Sequence, residues 1–102
     1  MPYFVFYGTD GPGGEAIRAR VREAHRAHIR IDQPGCRMVA AGVLVEDDGA
    51  RMDGTLLVFD ADDRAAVERF MAADPYSREG LFGKIEIRRW NWAVGAPQSD
   101  KL

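Results

Sequence analysis

Two short polar segments about fifty residues apart are the part of this sequence best suited to chemistry. One is Arg22-Glu23-Ala24-His25, inside a helical stretch, and the other is Asp74-Pro75-Tyr76, just after a second one. His25 supplies an imidazole that can take up and release protons near neutral pH, and Asp74 supplies a carboxylate. If folding brings them together, the carboxylate fixes the ring tautomer and stabilises the protonated ring, which is the minimum equipment for proton transfer.

Each of these residues also has an ordinary structural interpretation. His25 lies one turn beyond Val21, at the edge of the apolar stripe, where a solvated surface histidine is equally consistent with its position. Asp74 precedes a proline, which favours a turn or helix-cap aspartate. Tyr76 could donate a hydrogen bond to a substrate, although a tyrosine beside an apolar surface more often packs with its hydroxyl satisfied. Position alone leaves both interpretations open.

The remaining candidates for chemistry are weaker. His28 is predicted nearer the middle of the stripe, as a hydrogen-bonded core histidine. His25 and His28 are three residues apart, but the sequence has no third histidine, and neither Cys36 nor the carboxylates have zinc-type spacing, so we expect no metal. Three glycines precede the first helix without matching a phosphate-binding pattern, which predicts a flexible turn: Gly11, Gly13 and Gly14.

Length and composition restrict the class of protein. We expect the 102 residues to form one domain over 1–95 and a loose tail over 96–102. The 14 basic and 16 acidic residues are mixed along the chain, so no basic stripe could neutralise phosphates and we expect no nucleic-acid partner. No signal-peptide pattern and no run of about 20 apolar residues is present, so we expect no membrane association. The single cysteine agrees with a cytoplasmic location.

Hydrophobic periodicity predicts the order βαββαβ, a ferredoxin-like α+β sandwich with a four-stranded antiparallel sheet. The predicted strands cover residues 2–8, 36–45, 55–59 and 84–92, and the helices begin near Glu15 and after the caps at 60–63. Along the first helix one stripe is predicted to face the sheet, with the arginines mostly elsewhere: Ile17, Val21, Ala24, His28 and Ile31 inward, Arg18, Arg20, Arg22 and Arg26 outward.

Both faces of the predicted sheet are apolar. The first strand alternates Tyr3, Val5 and Tyr7 with Phe4 and Phe6, whereas a solvated face would alternate with polar residues. Two helices cover one face only, so we expect a homodimer in which the two uncovered faces meet. Trp90 and Trp92 are predicted to share a face of the last strand. They are expected either to pack in the core or the dimer interface or to form the wall of a ligand cavity.

Several segments, taken in order, resemble the YCII-related (YciI-like) family of small bacterial proteins over Tyr3 to Trp92. They are Arg22-Glu23-Ala24-His25, Ala41-Gly42-Val43-Leu44, Asp47-Asp48-Gly49, Gly54, Asp74-Pro75-Tyr76 with Gly80-Leu81-Phe82, and Ile85-Glu86-Ile87-Arg88-Arg89-Trp90. The resemblance implies a dimeric α/β-barrel fold and an active site built around a histidine and an aspartate, which correspond to His25 and Asp74. Activities in the wider superfamily include lyase or dehydrochlorinase chemistry, lactone isomerisation and cofactor-free oxygenation.

The chain departs from the family pattern at two positions. Val43 stands where the family usually has proline after the glycine, which leaves a backbone N–H in the strand. Glu23 stands where the family usually has the proline of an Arg-Pro-x-His segment, which puts a negative charge near His25. Neither departure removes the histidine or the aspartate.

Two hypotheses of function follow, with a third ranked below them. The first is a small-molecule enzyme without cofactor, in which His25 is the general acid/base, Asp74 orients it, and Arg22, Tyr76 and Gly42 bind a substrate that loses HX or isomerises. The second is a non-catalytic dimeric module that binds a metabolite or serves as an accessory subunit. The third is a cofactor-free oxygenase with an aromatic-lined cavity.

Overall fold

The alternating apolar strands form one antiparallel sheet with helices on one side. The computed structural model describes residues 2–97, and the sheet order within them is β2-β3-β1-β4. The predicted ferredoxin-like βαββαβ order is confirmed, with one short helix added before the last strand. The elements are β1 (Tyr3–Asp10), α1 (Gly14–Ile29), β2 (Cys36–Val45), β3 (Met52–Ala61), α2 (Arg64–Ala72), α3 (Pro75–Arg78) and β4 (Phe82–Trp90).

Helix α3 was not predicted, because four residues are too few to show a helical period. It forms because the Asp74 side chain accepts a hydrogen bond from the Tyr76 backbone N–H and Pro75 occupies the first turn, where its missing N–H costs nothing. Strand β4 ends at Trp90, so the prediction of a strand to residue 92 was too long. Of the tail predicted over 96–102, residues 98–102 lie outside the described part of the chain.

The core lies between the sheet and the helices. Strands β1 and β3 pair so that Phe4 faces Phe59 and Phe6 faces Leu57, and the Phe59 ring packs edge-on against Phe70 of α2 at 4.9 Å. All five of these side chains are buried. Within residues 2–97, no helix is long and apolar enough to cross a membrane.

The face of α1 that packs inward differs from the predicted stripe. Its buried residues are Gly14, Arg18, His25 and Ile29, whereas Ala24 and Ile31 are exposed. The prediction counted only apolar residues, but a charged or polar side chain can be buried where a partner satisfies it. Partners for Arg18 and His25 come from distant parts of the chain, which a helical wheel does not contain.

The other face of the sheet carries an apolar depression lined by strand residues. Val5 pairs with Val58 and Tyr7 pairs with Leu56 in the register of β1 and β3, and Trp90 of β4 lies at the same depression. Tyr7 is 43% exposed. The open face is therefore apolar along β1 and β3, as the strand patterns predicted, whereas Glu86, Arg88 and Arg89 of β4 add charged groups to the lining. The Trp90 and Trp92 rings lie 4.6 Å apart, although Trp92 is beyond the end of the strand.

Candidate active site

His25 and Asp74, predicted as a pair, are in contact. The Nδ1 atom of His25 lies 2.9 Å from each carboxylate oxygen of Asp74. His25 is 6% exposed and Asp74 is fully buried. Because an ionised carboxylate only accepts hydrogen bonds, Nδ1 carries the hydrogen and donates it, which leaves Nε2 as the nitrogen able to take up a proton.

The position of the Asp74 carboxylate is set by the chain around it. The Asp74 backbone N–H donates to the Met71 carbonyl at the end of α2, and Oδ1 accepts from the Tyr76 backbone N–H at 3.0 Å. The aspartate is thus a helix cap and the partner of His25 at once. The structural interpretation that the sequence left open is correct, and it does not exclude the chemical one.

Tyr76 holds the imidazole from one side. Its ring stacks on His25 with centroids 3.9 Å apart and 16° between the planes, and Phe82 packs edge-on against it at 6.3 Å. Tyr76 is buried, so the ring acts as a fixed wall. Asp74 therefore fixes the ring edge of His25 and Tyr76 fixes its face.

Arg18 is a buried part of this site that sequence reasoning placed on the outside of α1. Its guanidinium makes two hydrogen bonds to Asp10, of 2.7 and 2.9 Å, and a third to Thr55 at 3.0 Å. It also lies 5.1 Å from the Tyr76 ring centroid. Burial acts to lower the pKa of Arg18, but the hydrogen bonds to Asp10 and its negative charge outweigh burial, so the net shift is upward and the group stays charged.

A glycine allows this ion pair to form. A Cβ at Gly14 would lie 2.9 Å from the Cβ of Asp10, closer than side chains approach one another. The register of β1 against β4 also shifts between Thr9 and Asp10, at the end of the strand. The sequence signal was an aspartate before a glycine-rich turn with an arginine in the first turns of the following helix, but the sequence does not show that the turn brings the two side chains together.

His25 opens onto a cavity of about 310 Å³ between α1 and the β2–β3 edge of the sheet. This volume lies at the lower end of the range for small-molecule sites. Of the predicted binding residues, Arg22, Gly42 and Tyr76 all line it. A Cβ at Gly42 would meet nothing within 4 Å, so the glycine leaves open space beside the strand rather than relieving a clash. The register of β2 against β3 shifts between Met38 and Ala40 and again between Leu44 and Val45, not at the glycine.

Residues that the sequence did not single out complete the cavity wall. Arg22 is half-buried, and its guanidinium lies 3.6 Å from the sulfur of Met52 at the start of β3. The other newly found lining residues are apolar or basic apart from the hydroxyl-bearing Thr55: Arg18, Arg26, Ile29, Arg30, Ala41, Val43 and Leu57. The arrangement is an apolar hollow with a carboxylate-bound imidazole at its wall and guanidinium groups around it.

The other sequence candidates lie outside this hollow. His28 donates from Nε2 to the Phe70 carbonyl at 2.9 Å, which fits its predicted core role. Burial raises the pKa of the Cys36 thiol to about 11, as for a small core side chain rather than a nucleophile. Within residues 2–97 no group of three His, Cys, Asp or Glu side chains could hold a metal ion.

A family profile for the YCII-related domain matches residues 2–91. The chain belongs to the YCII-related family. The resemblance seen in the sequence is thereby confirmed, over almost the same residues. No curated protein sequence matches this YCII-related chain significantly.

Solved structures with the same fold include enzymes. A 5-chloro-2-hydroxyhydroquinone dehydrochlorinase, TftG from Burkholderia phenoliruptrix AC1100, solved with 2,5-dihydroxybenzoquinone, is 26% identical over 87% of this chain and 93% of that one, with a TM-score of 0.74. PA3566 from Pseudomonas aeruginosa is 22% identical over 91% and 95%, with a TM-score of 0.54. SnoaB, a cofactor-independent oxygenase from Streptomyces nogalater, is 20% identical over 95% and 97%, with a TM-score of 0.52. The last two likenesses show the fold alone.

Proposed function

We propose that this YCII-related protein is a small-molecule enzyme that works by acid/base chemistry and needs no cofactor. The observation that carries the proposal is the orientation of His25, whose Nδ1 is held by Asp74 while the ring itself lines the cavity. A proton-transfer residue needs this arrangement: a fixed ring, a partner for the charge it acquires, and access to substrate.

In the proposed reaction Nε2 of His25 takes a proton from a hydroxyl or an activated carbon of the substrate. The electron pair left behind moves through the conjugated substrate, and a leaving group such as chloride departs with its own bonding pair. The net change is loss of HX. In an isomerisation the same proton would return to another carbon of the substrate. Asp74 remains ionised and stabilises the imidazolium that forms.

Three further residues have proposed roles in the site. Arg22 offers a half-buried guanidinium for a carbonyl or anionic oxygen. Tyr76 keeps the imidazole parallel to its own ring by stacking on it. Gly42 leaves room for the substrate to approach the strand.

The likeness to TftG supports elimination as the first reaction to test. That protein's name describes dehydrochlorination of a chlorinated hydroxyhydroquinone, and its structure holds a dihydroxybenzoquinone. A flat oxygenated ring of this kind would fit an apolar hollow with guanidinium groups around it. We therefore propose the same class of reaction for this chain, with a substrate that the assay below is designed to identify.

We propose further that the active form is a homodimer closed through the apolar sheet face. The face carries Val5, Tyr7, Leu56, Val58 and Trp90, and the described helices pack on the opposite side. A second copy of the same sheet would bury these side chains and form the barrel that the family resemblance implies. A cytoplasmic location is part of the proposal and is supported by the single cysteine.

Chloride release from 5-chloro-2-hydroxyhydroquinone tests the reaction directly. We expect His25→Asn to lower turnover by about a hundredfold to ten-thousandfold, because it removes the proton acceptor while keeping a polar side chain of similar size. Asp74→Asn should also lower turnover, since an amide can donate to Nδ1 and favour the wrong tautomer.

The matched control is His28→Gln, on the same helix and outside the cavity. Its amide can still donate to the Phe70 carbonyl, so we expect turnover near that of the wild type. Unchanged turnover by a folded His25→Asn variant would rule out His25 as the base. If the wild type releases no chloride but binds the ring compound in the cavity, the non-catalytic binding module becomes the better description.

A further inference from the structure

The helix side of the cavity carries a row of guanidinium groups. Arg22, Arg26 and Arg30 follow one another at intervals of four residues along α1 and its C-cap, and all three line the cavity onto which His25 opens. Arg22 is half-buried, while Arg26 and Arg30 are exposed. Residues four apart on a helix lie side by side, so the row places like charges next to one another.

These charges are poorly neutralised by the protein. Within residues 2–97, Arg22 and Arg30 have no carboxylate partner, and Arg26 has only Glu23, at 3.8 Å on the exposed surface. The buried Arg18 differs, because Asp10 neutralises it. Among the described residues that line the cavity none is an aspartate or a glutamate. The hollow therefore has an unbalanced positive charge at its wall.

Helix stability does not account for this arrangement. Basic residues near a helix C-terminus interact favourably with the helix dipole, which explains Arg26 and Arg30 in part but not Arg22 in the middle of α1. Arg20, on the same helix, pairs with Glu79 and lies outside the cavity lining. On α1 and its C-cap, the two described arginines without a carboxylate partner, Arg22 and Arg30, both line the hollow.

We propose that the cavity takes a small organic acid: an apolar body that packs on Ile29, Val43 and Leu57, with a carboxylate bound by Arg22 and Arg30. Guanidinium groups bind carboxylates through two parallel hydrogen bonds, which orients the ligand as well as attracting it. The reacting atom is then presented to Nε2 of His25. This inference rests on the proposed function only in that it takes this cavity as the substrate site. The carboxylate that it assigns to the substrate is remote from the reacting atoms.

Benzoate and its neutral counterpart benzamide test the inference on the intact protein. In NMR titrations followed at backbone amides of α1 and β2, we expect benzoate to bind at least about tenfold more tightly than benzamide. Added salt should weaken the binding of benzoate and leave the binding of benzamide unchanged. Arg22→Gln with Arg30→Gln should remove the preference, whereas Arg30→Lys, which keeps the charge, should retain part of it.

The control is Arg20→Gln, which removes one positive charge from the same helix outside the cavity. It should bind benzoate as the wild type does. Equal affinity for the two probes, absence of saturable benzoate binding, or an effect of Arg20→Gln as large as that of the double variant would each overturn the inference. His25→Asn separates it from the reaction: retained benzoate preference with lost turnover supports both proposals, and retained preference with unchanged turnover supports this one alone.

Discussion

Tyr76 lies flat against His25, with ring centroids 3.9 Å apart and the planes 16° from parallel. The stack is buried and leaves the imidazole one free face and one free nitrogen. A histidine in solution rotates about two side-chain bonds, whereas here the ring is held at its edge by a carboxylate and at its face by a phenol. Its orientation is fixed before any ligand arrives, which in the proposed reaction lowers the entropic cost of reaching the reactive geometry.

Tyr76→Phe and Tyr76→Leu separate the ring of this tyrosine from its hydroxyl. Phe keeps the stack, so we expect a loss of about 1 kcal/mol in the free energy of unfolding. Leu removes the stack and leaves unfilled space, with an expected loss of about 2–4 kcal/mol. Urea unfolding measures both. Equal losses would show that the whole effect comes from the hydroxyl and that the stacked ring contributes nothing to stability.

The tautomer of His25 is a direct consequence of its contact with Asp74. We expect the neutral ring to carry its hydrogen on Nδ1, and long-range ¹H–¹⁵N spectra distinguish the two nitrogens. His28 is an internal reference, because it donates from Nε2 to a carbonyl and must show the opposite tautomer. Asp74→Asn should move the His25 hydrogen to Nε2. The same tautomer at both histidines would contradict the assignment.

The sequence predicts the sheet better than it predicts the site. The strands were recognisable because alternation along β1 and β3 is local, and the turn residues between Glu46 and Gly54 indicate that the apolar segments on either side form a hairpin. The pairing of His25 with Asp74 was a hypothesis from residue type, supported by a family resemblance. Whether a residue on α1 reaches the end of α2 depends on how the helices pack, and no local pattern encodes that.

Arg18 shows what local patterns miss. A charged residue is assigned to the surface unless its partner is known, and the partner, Asp10, lies at the end of β1 where Gly14 leaves room for its side chain. The orientation of α1 about its axis follows from this pair and from His25. The predicted apolar stripe was wrong at two positions: Ala24 lies on the side of α1 that these polar contacts turn toward solvent, and Ile31 is exposed beyond the end of the helix.

Breaking the Arg18–Asp10 pair should be costly. Arg18 is 3% exposed, so Arg18→Met leaves a buried carboxylate uncompensated and should lower the free energy of unfolding by about 3–5 kcal/mol. Asp10→Asn combined with Arg18→Met should cost less than the sum of the two single changes, because the orphaned charge is gone. Arg20→Met, which breaks an exposed pair with Glu79, should cost less than about 1 kcal/mol. Additive losses in this cycle would show that the buried pair is not coupled.

The dimer proposal is tested at a residue that the isolated chain leaves exposed. Tyr7→Lys places a charge on the open sheet face, so we expect it to shift the protein from dimer to monomer in light scattering while its folded far-UV spectrum persists. Ile85→Lys is the control, since Ile85 is 55% exposed. Residues two apart on a strand share a face, so Ile85 lies on the helix side of the sheet with Ile87, opposite to Tyr7. A monomeric wild type at micromolar concentration, or dissociation caused equally by both substitutions, would contradict a dimer closed through this face.

The buried thiol of Cys36 predicts a specific dependence of stability on pH. Burial raises its pKa from 9.0 to about 11, so the folded state keeps a proton that the unfolded chain has already lost between these values. The unfolded state then binds fewer protons, and the stabilising effect, complete below pH 9, is lost as pH rises toward 11. One pKa unit corresponds to about 1.4 kcal/mol, so the loss amounts to at most about 3 kcal/mol.

Cys36→Ala isolates this effect from other groups that titrate at alkaline pH. The substitution removes a small buried side chain at a cost that does not vary with pH, so the wild type should be the more stable protein at pH 8 and should lose that advantage as pH rises through the window given above. Guanidinium unfolding of both proteins along the pH series measures the difference. Parallel curves for the two proteins would mean that Cys36 ionises alike in the folded and unfolded chains and that its burial does not disfavour the thiolate.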